Sequence, residues 1–133
     1  MATSEKIYCW GTGRRKTAVA RVRVREGTGL FLVNDLPVDE YFTVEGERGT
    51  VRGPIAATEM GDRVDIFVNV HGSGKCSQAD AIVMGLARAL KEHRPDLEPA
   101  LRAGDFMTRD PRKVERKKYG HKKARKSFQF SKR

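Results

Sequence analysis

The stretch TAVARVRVR, residues 17–25, is the clearest indication of the fold because apolar and cationic side chains alternate along it. Val22 and Val24 are each flanked by arginines, which is the period of two expected for a β-strand with one apolar and one cationic face. The arginines are Arg21, Arg23 and Arg25. The stretch therefore predicts a strand whose apolar face covers a core and whose other face carries positive charge.

The sequence around this strand predicts further strands and one long helix. Residues 26–29 (EGTG) predict a turn, and residues 30–34 (LFLVN) predict a strand that pairs with the first in a hairpin. Residues 62–72 (DRVDIFVNVHG) predict another strand, with Val64, Ile66, Val68 and Val70 on one face. Residues 72–95 predict the longest helix, which Pro95 ends. Its apolar stripe is Ala79, Ile82, Val83, Leu86 and Leu90.

Shorter segments complete the domain. Asp35 is expected to cap a short helix that has Pro37 in its first turn. The pair Gly53-Pro54 is expected to interrupt any helix over residues 47–59, although Pro54 could begin a short new helix. Residues 96–105 predict a last helix with Gly104 at its C-cap. The order of elements predicts an α/β (α+β) two-layer domain, in which one sheet carries helices on one face.

Length and composition limit the class of protein. A chain of 133 residues fits one domain plus an appendage, and no run of 18 apolar residues could span a membrane. The N-terminal residues have no apolar segment of the kind a secretory signal requires. Cys9 and Cys76 fit no metal or redox motif, so we expect buried or half-buried free thiols in a reducing compartment. These features predict a soluble, intracellular protein.

The net charge of +10 is concentrated at the C-terminal end. Residues 109–133 contain twelve basic and two acidic side chains, whereas residues 1–108 contain 15 of each. The tail has too few apolar residues to offset the entropy of ordering it. We therefore predict a globular domain over residues 1–108 and a long, extended basic C-terminal tail over residues 109–133. The tail is expected to be disordered in isolation and extended when bound.

The chemistry of the tail predicts nucleic-acid binding. Its cations can displace counterions from phosphates, and its interleaved rings can stack on unpaired bases. These rings are Tyr119, His121, Phe128 and Phe130. RNA is the favoured ligand because no helix-turn-helix, zinc-finger or basic-zipper pattern is visible, although double-stranded DNA remains open. A solvated appendage that serves solubility or localisation is the alternative.

Two glycine-containing segments are further candidates for phosphate contact. Gly11 and Gly13 could let a ligand approach the backbone ahead of three cations, or could form an ordinary turn. The cations are Arg14, Arg15 and Lys16. The segment HGSGKCSQAD (71–80) could hold a phosphate at a helix N-terminus beside Lys75, or Ser73 or Ser77 could simply cap the helix. A P-loop is excluded because Asn69 and Cys76 break its spacing.

Catalytic patterns are absent from the sequence. His71, His93 and His121 are far apart along the chain, with no nucleophile motif or metal pair around them. We therefore expect no enzyme activity, no metal site and no cofactor.

Several stretches together resemble one protein family. GRRKTAVARVRV (13–24), SQADAIVMGLARAL (77–90) and TRDPRKVERKKYGHKKARKSFQFSKR (108–133) resemble the universal small-subunit ribosomal protein nine family, in its bacterial or organellar form. FLVNDLPVDEYF (31–42) is similar to the family's second block, and the similarity runs from about Tyr8 to Arg133. The chain departs from the family pattern at Ser77, where a glycine is common, and at Met84, where a basic residue is frequent.

The resemblance implies a location and partners. It implies a domain similar to the second domain of small-subunit ribosomal protein five, bound to 16S-type rRNA and to other proteins of the subunit head, on a cytoplasmic or organellar ribosome. The tail would end near the anticodon stem-loop of the peptidyl-site tRNA, with Ser131, Lys132 and Arg133 in contact with it. Charge and resemblance together predict these rRNA-contacting residues: Arg14, Arg15, Lys16, Arg21, Arg23, Lys75, Arg109, Arg112, Lys113, Arg116, Lys117, Lys118, Tyr119, His121, Lys122, Lys123, Arg125 and Lys126.

Two other classes of function remain open at this point. A free nucleic-acid-binding module, such as an RNA chaperone or a nucleoid protein, would have the same composition. A phosphate-substrate enzyme would use the glycine turn and Lys75, and it would lose turnover on Lys75→Ala.

Overall fold

The computed structural model describes residues 8–109, 111–112, 116–117, 119–120 and 122. Within these residues, five strands form a single sheet in the order β1-β2-β5-β3-β4. The strands are β1 (Cys9–Arg15), β2 (Ala18–Glu26), β3 (Phe31–Val33), β4 (Leu36–Pro37) and β5 (Val64–His71). The helices are α1 (Val38–Tyr41), α2 (Glu45–Thr58), α3 (Lys75–His93) and α4 (Glu98–Ala103), with a 3-10 turn (Pro95–Leu97) before α4. The mixed α/β architecture predicted from the sequence is confirmed.

The core forms where α3 packs on β1, β2 and β5. The alternating valines of β2 and β5 are buried, as are Ile82, Leu86 and Leu90 of α3. The predicted strand over 17–25, the strand around Ile66 and the long helix are thereby confirmed, although Val83 is only half-buried. The last helix and its Gly104 C-cap are also confirmed.

The glycines of β1 have a packing role that their sequence pattern did not reveal. Gly11 and Gly13 are neither a turn nor a point of ligand approach, because they lie within β1 and face α3. A Cβ at Gly11 would collide with the carbonyl oxygen of Gly85, and one at Gly13 would collide with that of Ala81. The glycines therefore let strand and helix backbones approach closely, and the ligand interpretation of this GxG is wrong.

The predicted hairpin between β2 and β3 is wrong. Strand β2 pairs with β1 on one side and with β5 on the other, so it has no free edge for β3. Strand β3 instead runs parallel to β5, with Leu32 opposite Phe67, and antiparallel to β4. The side chain of Asn34 fixes this arrangement, because it donates to the carbonyl of Val70 and accepts the Val70 N–H, both at 2.9 Å.

Two predictions about the helices are also wrong, one about the start of α1 and one about the continuity of α2. The N-cap of α1 is Pro37 and not Asp35, which instead lies in the turn before β4 with φ +67°. Helix α2 runs through Pro54 without interruption. Proline inside a helix costs about 3 kcal/mol or more, while burying an aliphatic side chain such as Val51 contributes about 1.5–3 kcal/mol. Because Val51 and Pro54 are both buried, packing of this helix face offsets the missing hydrogen bond.

Some general features of the described residues bear on function. None of their helices has the length and apolarity needed to cross a bilayer, and they bring no three metal-binding side chains together. Cys9 and Cys76 are free thiols; Cys9 is half-buried as expected, whereas Cys76 is exposed, so the expected burial of that thiol is wrong. Burial, with a smaller effect of the Glu92 charge, raises the pKa of Cys9, which keeps that thiol protonated at neutral pH.

Candidate nucleic-acid interface

The face of the sheet opposite α3 carries the cationic side chains of β2, and we call it the open face. Cross-strand pairing arranges it in three rows, which are Trp10–Arg23–Phe67, Thr12–Arg21–Asn69 and Arg14–Val19–His71. Tyr8 precedes β1 on the same side. In each of these strands the residues between these positions face α3, so the alternation seen in the sequence becomes a covered face and an open face.

Arg23 is held among aromatic rings. The Cζ atom of its guanidinium lies 5.1 Å from the ring centroid of Tyr8, 5.2 Å from that of Phe67 and 5.9 Å from that of Trp10. The Tyr8 and Phe67 rings pack edge to face, with their centroids 6.1 Å apart. Cation–π attraction at such distances favours one orientation of the guanidinium. Arg23 is therefore a positioned cation rather than a freely mobile one.

Arg25 is neutralised by Asp65. Its Nε lies 3.4 Å from Oδ2 of Asp65, and its Nη1 donates to the Tyr8 hydroxyl at 3.3 Å. The backbone N–H groups of Thr28 and Leu30 donate to Oδ1 of Asp65 at 3.0 and 3.1 Å. Burial acts to raise the pKa of Asp65, but these N–H donors and Arg25 outweigh it and hold the pKa below its ordinary value. Asp65 therefore stays ionised and ties the 27–30 turn to β5.

Arg14 and Arg21, in contrast to Arg25, are not neutralised within the described part of the chain. Both side chains are exposed, and the described part of the chain gives neither a hydrogen-bond nor an ion-pair partner. They remain available to an anion from outside. The structure thus brings Arg14, Arg21 and Arg23 together on one face.

Arg15 and Lys16 do not belong to that face. Arg15 points toward α3, where its Nε lies 3.6 Å from Oδ2 of Asp80. Lys16 is in the two-residue connection between β1 and β2, with φ +53°. Consecutive residues of a strand point to opposite sides, so the run of three cations in the sequence is divided between two faces and a turn.

The start of the predicted tail lies beside Arg15. Nη1 of Arg15 donates to the carbonyl of Arg112 at 3.5 Å, and Arg14, Arg15 and Arg112 all line a cavity of about 230 Å³. Phe106 also lines this cavity and lies against Gly53 and Gly104. The two basic segments of the sequence therefore meet at this point of the structure.

Of the remaining predicted site residues, some are described and others are not. Arg109, Arg112, Arg116, Lys117, Tyr119 and Lys122 are exposed. The predictions for Lys113, Lys118, His121, Lys123, Arg125, Lys126, Ser131, Lys132 and Arg133 lie outside the described residues, and so does the prediction that the tail is extended.

Lys75 makes contacts within the protein. Its Nζ donates to the Tyr41 carbonyl at 2.9 Å and lies 3.4 Å from the centroid of the Tyr41 ring. The N-cap of α3 is Gly74 and no side chain caps it, so the capping role predicted for Ser73 or Ser77 is wrong. Gln78 closes the turn instead, because its Nε2 donates to the carbonyl of Gly72 at 3.0 Å. A phosphate contact at Lys75 stays a prediction.

The aromatic part of the open face was not predicted from the sequence. Trp10 is 56% exposed, and Tyr8 and Phe67 are partly buried around Arg23. A signal was present, because Phe67 occupies a polar position in the alternation of DIFVNV, and Trp10 alternates with the glycines of β1. Large aromatic rings grouped at the solvent-facing positions of strands indicate an interaction surface.

These features define a class, an α/β protein whose open sheet face combines arginines with aromatic rings. A family model described as "Ribosomal protein S9/S16" matches residues 13–133. The chain is 50% identical over 133 residues to the small ribosomal subunit protein uS9 of Synechococcus sp. (strain JA-2-3B'a(2-13)), covering 99% of this chain and 98% of the relative. It is 54% identical over 121 residues to the protein of the same name from Chlorobaculum parvum (strain DSM 263 / NCIMB 8327), covering 91% and 94% of the two chains.

The chain belongs to the ribosomal protein S9/S16 family. It is therefore a ribosomal protein of the small subunit, a component of a ribonucleoprotein that acts in translation, and the resemblance seen in its sequence is confirmed.

Proposed function

We propose that the protein is a structural constituent of the small-subunit head, where it binds 16S-type rRNA and neighbouring head proteins, and that the end of its tail contacts the peptidyl-site tRNA. Family membership supports the ribosomal role. The separation of charge into a balanced body and a cationic tail supports the RNA contacts. The role requires no catalysis and no cofactor.

The observation that carries the rRNA contact is the meeting of the two basic segments. The bond from Arg15 to the carbonyl of Arg112 places the start of the tail next to the hairpin that bears Arg14 and Lys16. Residues from distant parts of the sequence, Arg14, Arg15 and Arg112, therefore line the same cavity. A polyanion that folds back on itself, as rRNA does, can contact both segments at once.

Counterion release supplies the driving force for this contact. Each phosphate neutralised by Lys or Arg frees condensed cations, and six to ten such contacts change affinity by about 10³–10⁵ between 50 and 200 mM salt. Residues 12–25 contain six cations and no acid, and residues 109–133 contain twelve cations and two acids. Binding should therefore be tight at low salt and steeply weakened by added salt.

The length of the tail allows it to act far from the body. A run of 25 residues reaches about 80 Å when extended at about 3.3 Å per residue. An extended chain can lie in RNA crevices too narrow for a folded domain. Ser131, Lys132 and Arg133 would then make charge-assisted hydrogen bonds to tRNA phosphates, each of modest energy.

Removal of residues 131–133 tests the tRNA contact. We expect small subunits that carry the shortened protein to assemble normally and to bind peptidyl-site tRNA more weakly, with a flatter salt dependence. Unchanged tRNA affinity together with an unchanged salt slope would show that the tail end does not contact tRNA.

Sedimentation tests the ribosomal role itself. We expect the full chain to migrate with small subunits through a gradient at moderate salt. A chain found only in the unbound fractions would instead indicate a free nucleic-acid-binding module.

A further inference from the structure

We infer that the open face binds an unpaired segment of RNA, with Trp10 stacking on a base and Arg21 and Arg14 contacting its phosphates. The inference rests on the proposed function, because it specifies the form of RNA that the body of the protein recognises. It concerns the body alone and not the tail.

The charges of the open face indicate an anionic ligand. Among the described residues, Asp65 is the one acidic residue at a strand position on the open face. Its carboxylate already pairs with Arg25 and accepts the N–H groups of Thr28 and Leu30. The positive charges of Arg14, Arg21 and Arg23 are therefore not neutralised on this face. A protein partner would have to bring its own acids, whereas RNA brings a phosphate with every nucleotide.

The aromatic rings indicate a ligand with flat, stackable groups. Trp10 is 56% exposed in the same cross-strand row as Arg23 and Phe67. Base stacking on such a ring is favourable for every base, and guanidinium planes stack on bases as well. Arg23, already held by the rings of Tyr8 and Phe67, loses little conformational freedom when a base packs next to it.

The combination favours unpaired RNA over a duplex. An A-form duplex hides the faces of its bases within the stack, so it can offer phosphates to Arg21 but no base face to Trp10. A single strand offers both. The arrangement of the open face, with rings in one row and free cations in the next two rows, matches a strand that presents bases on one side and phosphates on the other.

Trp10 is the single tryptophan of the chain, so its fluorescence reports on this face alone. The full chain is titrated with a mixed-sequence single-stranded RNA and with a blunt RNA duplex of equal phosphate number. We expect the single strand to quench the tryptophan emission and the duplex to bind through the tail without quenching it. Equal quenching by both, or by neither while both bind, would overturn the inference.

Substitutions give a second, independent readout. Trp10→Ala is expected to weaken single-strand binding about 5- to 150-fold, the range for losing one stacked ring, and Trp10→Phe is expected to retain most of the affinity. Arg21→Ala should flatten the slope of log K against log salt by about 0.7, the value per phosphate contact of a single strand. Arg63→Ala removes an exposed arginine from the turn before β5 and is the matched control for nonspecific loss of charge.

The outcomes separate this inference from the proposed function. If Trp10→Ala and Arg21→Ala bind RNA as the wild type does, while the chain still joins small subunits, the open face is not the RNA site and the ribosomal role stands. If these variants bind RNA normally but no longer join subunits, the face binds a protein. If the full chain binds neither form of RNA, both proposals are wrong.

Discussion

The two faces of the sheet are built from alternate residues of the same strands, yet different forces select their side chains. On the covered face, Gly11 and Gly13 allow α3 to approach so closely that a single methyl group would collide with its backbone. On the open face, Arg21 and Trp10 contact solvent. Substitutions on the covered face should therefore act on folding, and those on the open face should act on binding.

Gly13→Ala should have the largest effect on stability. The added Cβ meets the backbone carbonyl of Ala81 rather than a side chain that could rotate away, so α3 must move as a unit. Overpacking typically costs about 1–3 kcal/mol, and we expect the free energy of unfolding to fall by about 3 kcal/mol or more. Urea denaturation measures it. A loss below about 1 kcal/mol would show that α3 yields easily and that the two faces differ less than proposed.

Asp65→Asn should have the next largest effect. It removes a buried carboxylate that accepts two backbone N–H groups and pairs with Arg25, and we expect unfolding to become easier by about 1–3 kcal/mol at pH 7. Asp96→Asn is the matched control, since Asp96 is 73% exposed and lies 3.9 Å from Arg94. The control should change stability by less than about 0.5 kcal/mol.

The pH dependence of this effect has a defined direction. Because the folded-state pKa of Asp65 lies below the unfolded value of about 3.9, its contribution is fully present above that value. The contribution is lost as pH falls through the folded-state pKa. The difference between wild type and Asp65→Asn should therefore shrink when unfolding is measured below about pH 4. A difference that stayed constant down to pH 2 would contradict the assigned role.

Gly49→Ala should stabilise the protein slightly. Gly49 lies in α2, and a Cβ added there meets no atom within 4 Å. Replacing a helical glycine by alanine contributes up to about 1 kcal/mol. The same chemical change as in Gly13→Ala thus has the opposite sign, which thermal unfolding of the two variants side by side can verify. Destabilisation by both would remove close packing as the explanation for Gly13.

Arg21→Ala should leave stability almost unchanged. The side chain is exposed and has no partner among the described residues, so we expect a change within about 0.5 kcal/mol. The effect should appear in RNA binding alone. A loss of several kcal/mol in urea denaturation would mean that Arg21 has a structural role.

Local patterns were sufficient to predict some of these features. Alternating apolar residues around Val22 and around Ile66 each predict a strand with one face on the core, and the apolar stripe of residues 79–90 predicts a helix with one face on the core. The structure confirms these three elements as β2, β5 and α3. The pairing of β3 with β5 was not predicted, because no local pattern reveals which strand edges are already taken. The continuity of α2 through Pro54 depends on the core beneath it, which the segment itself does not encode.

The candidate site was predicted by its charge but not by its geometry. Arg14, Arg21 and Arg23 were identified as cations on or beside one strand, and the structure places them on one face. The role of Gly11 and Gly13 could not be derived from β1 alone, because the reason for the glycines is the small-residue face of α3, Ala81, Gly85 and Ala89, some seventy residues away. Aromatic partners of Arg23 likewise come from two other parts of the chain.

Crosslinking on intact small subunits tests whether the open face and the tail contact rRNA. Purified subunits that contain the full chain are irradiated, and the peptides attached to rRNA are identified. We predict attachment at the open face, within residues 8–25, and along residues 109–126, with none on the exposed surface of α2. Crosslinks confined to α2, with the open face unmodified, would contradict the assignment of that face to RNA.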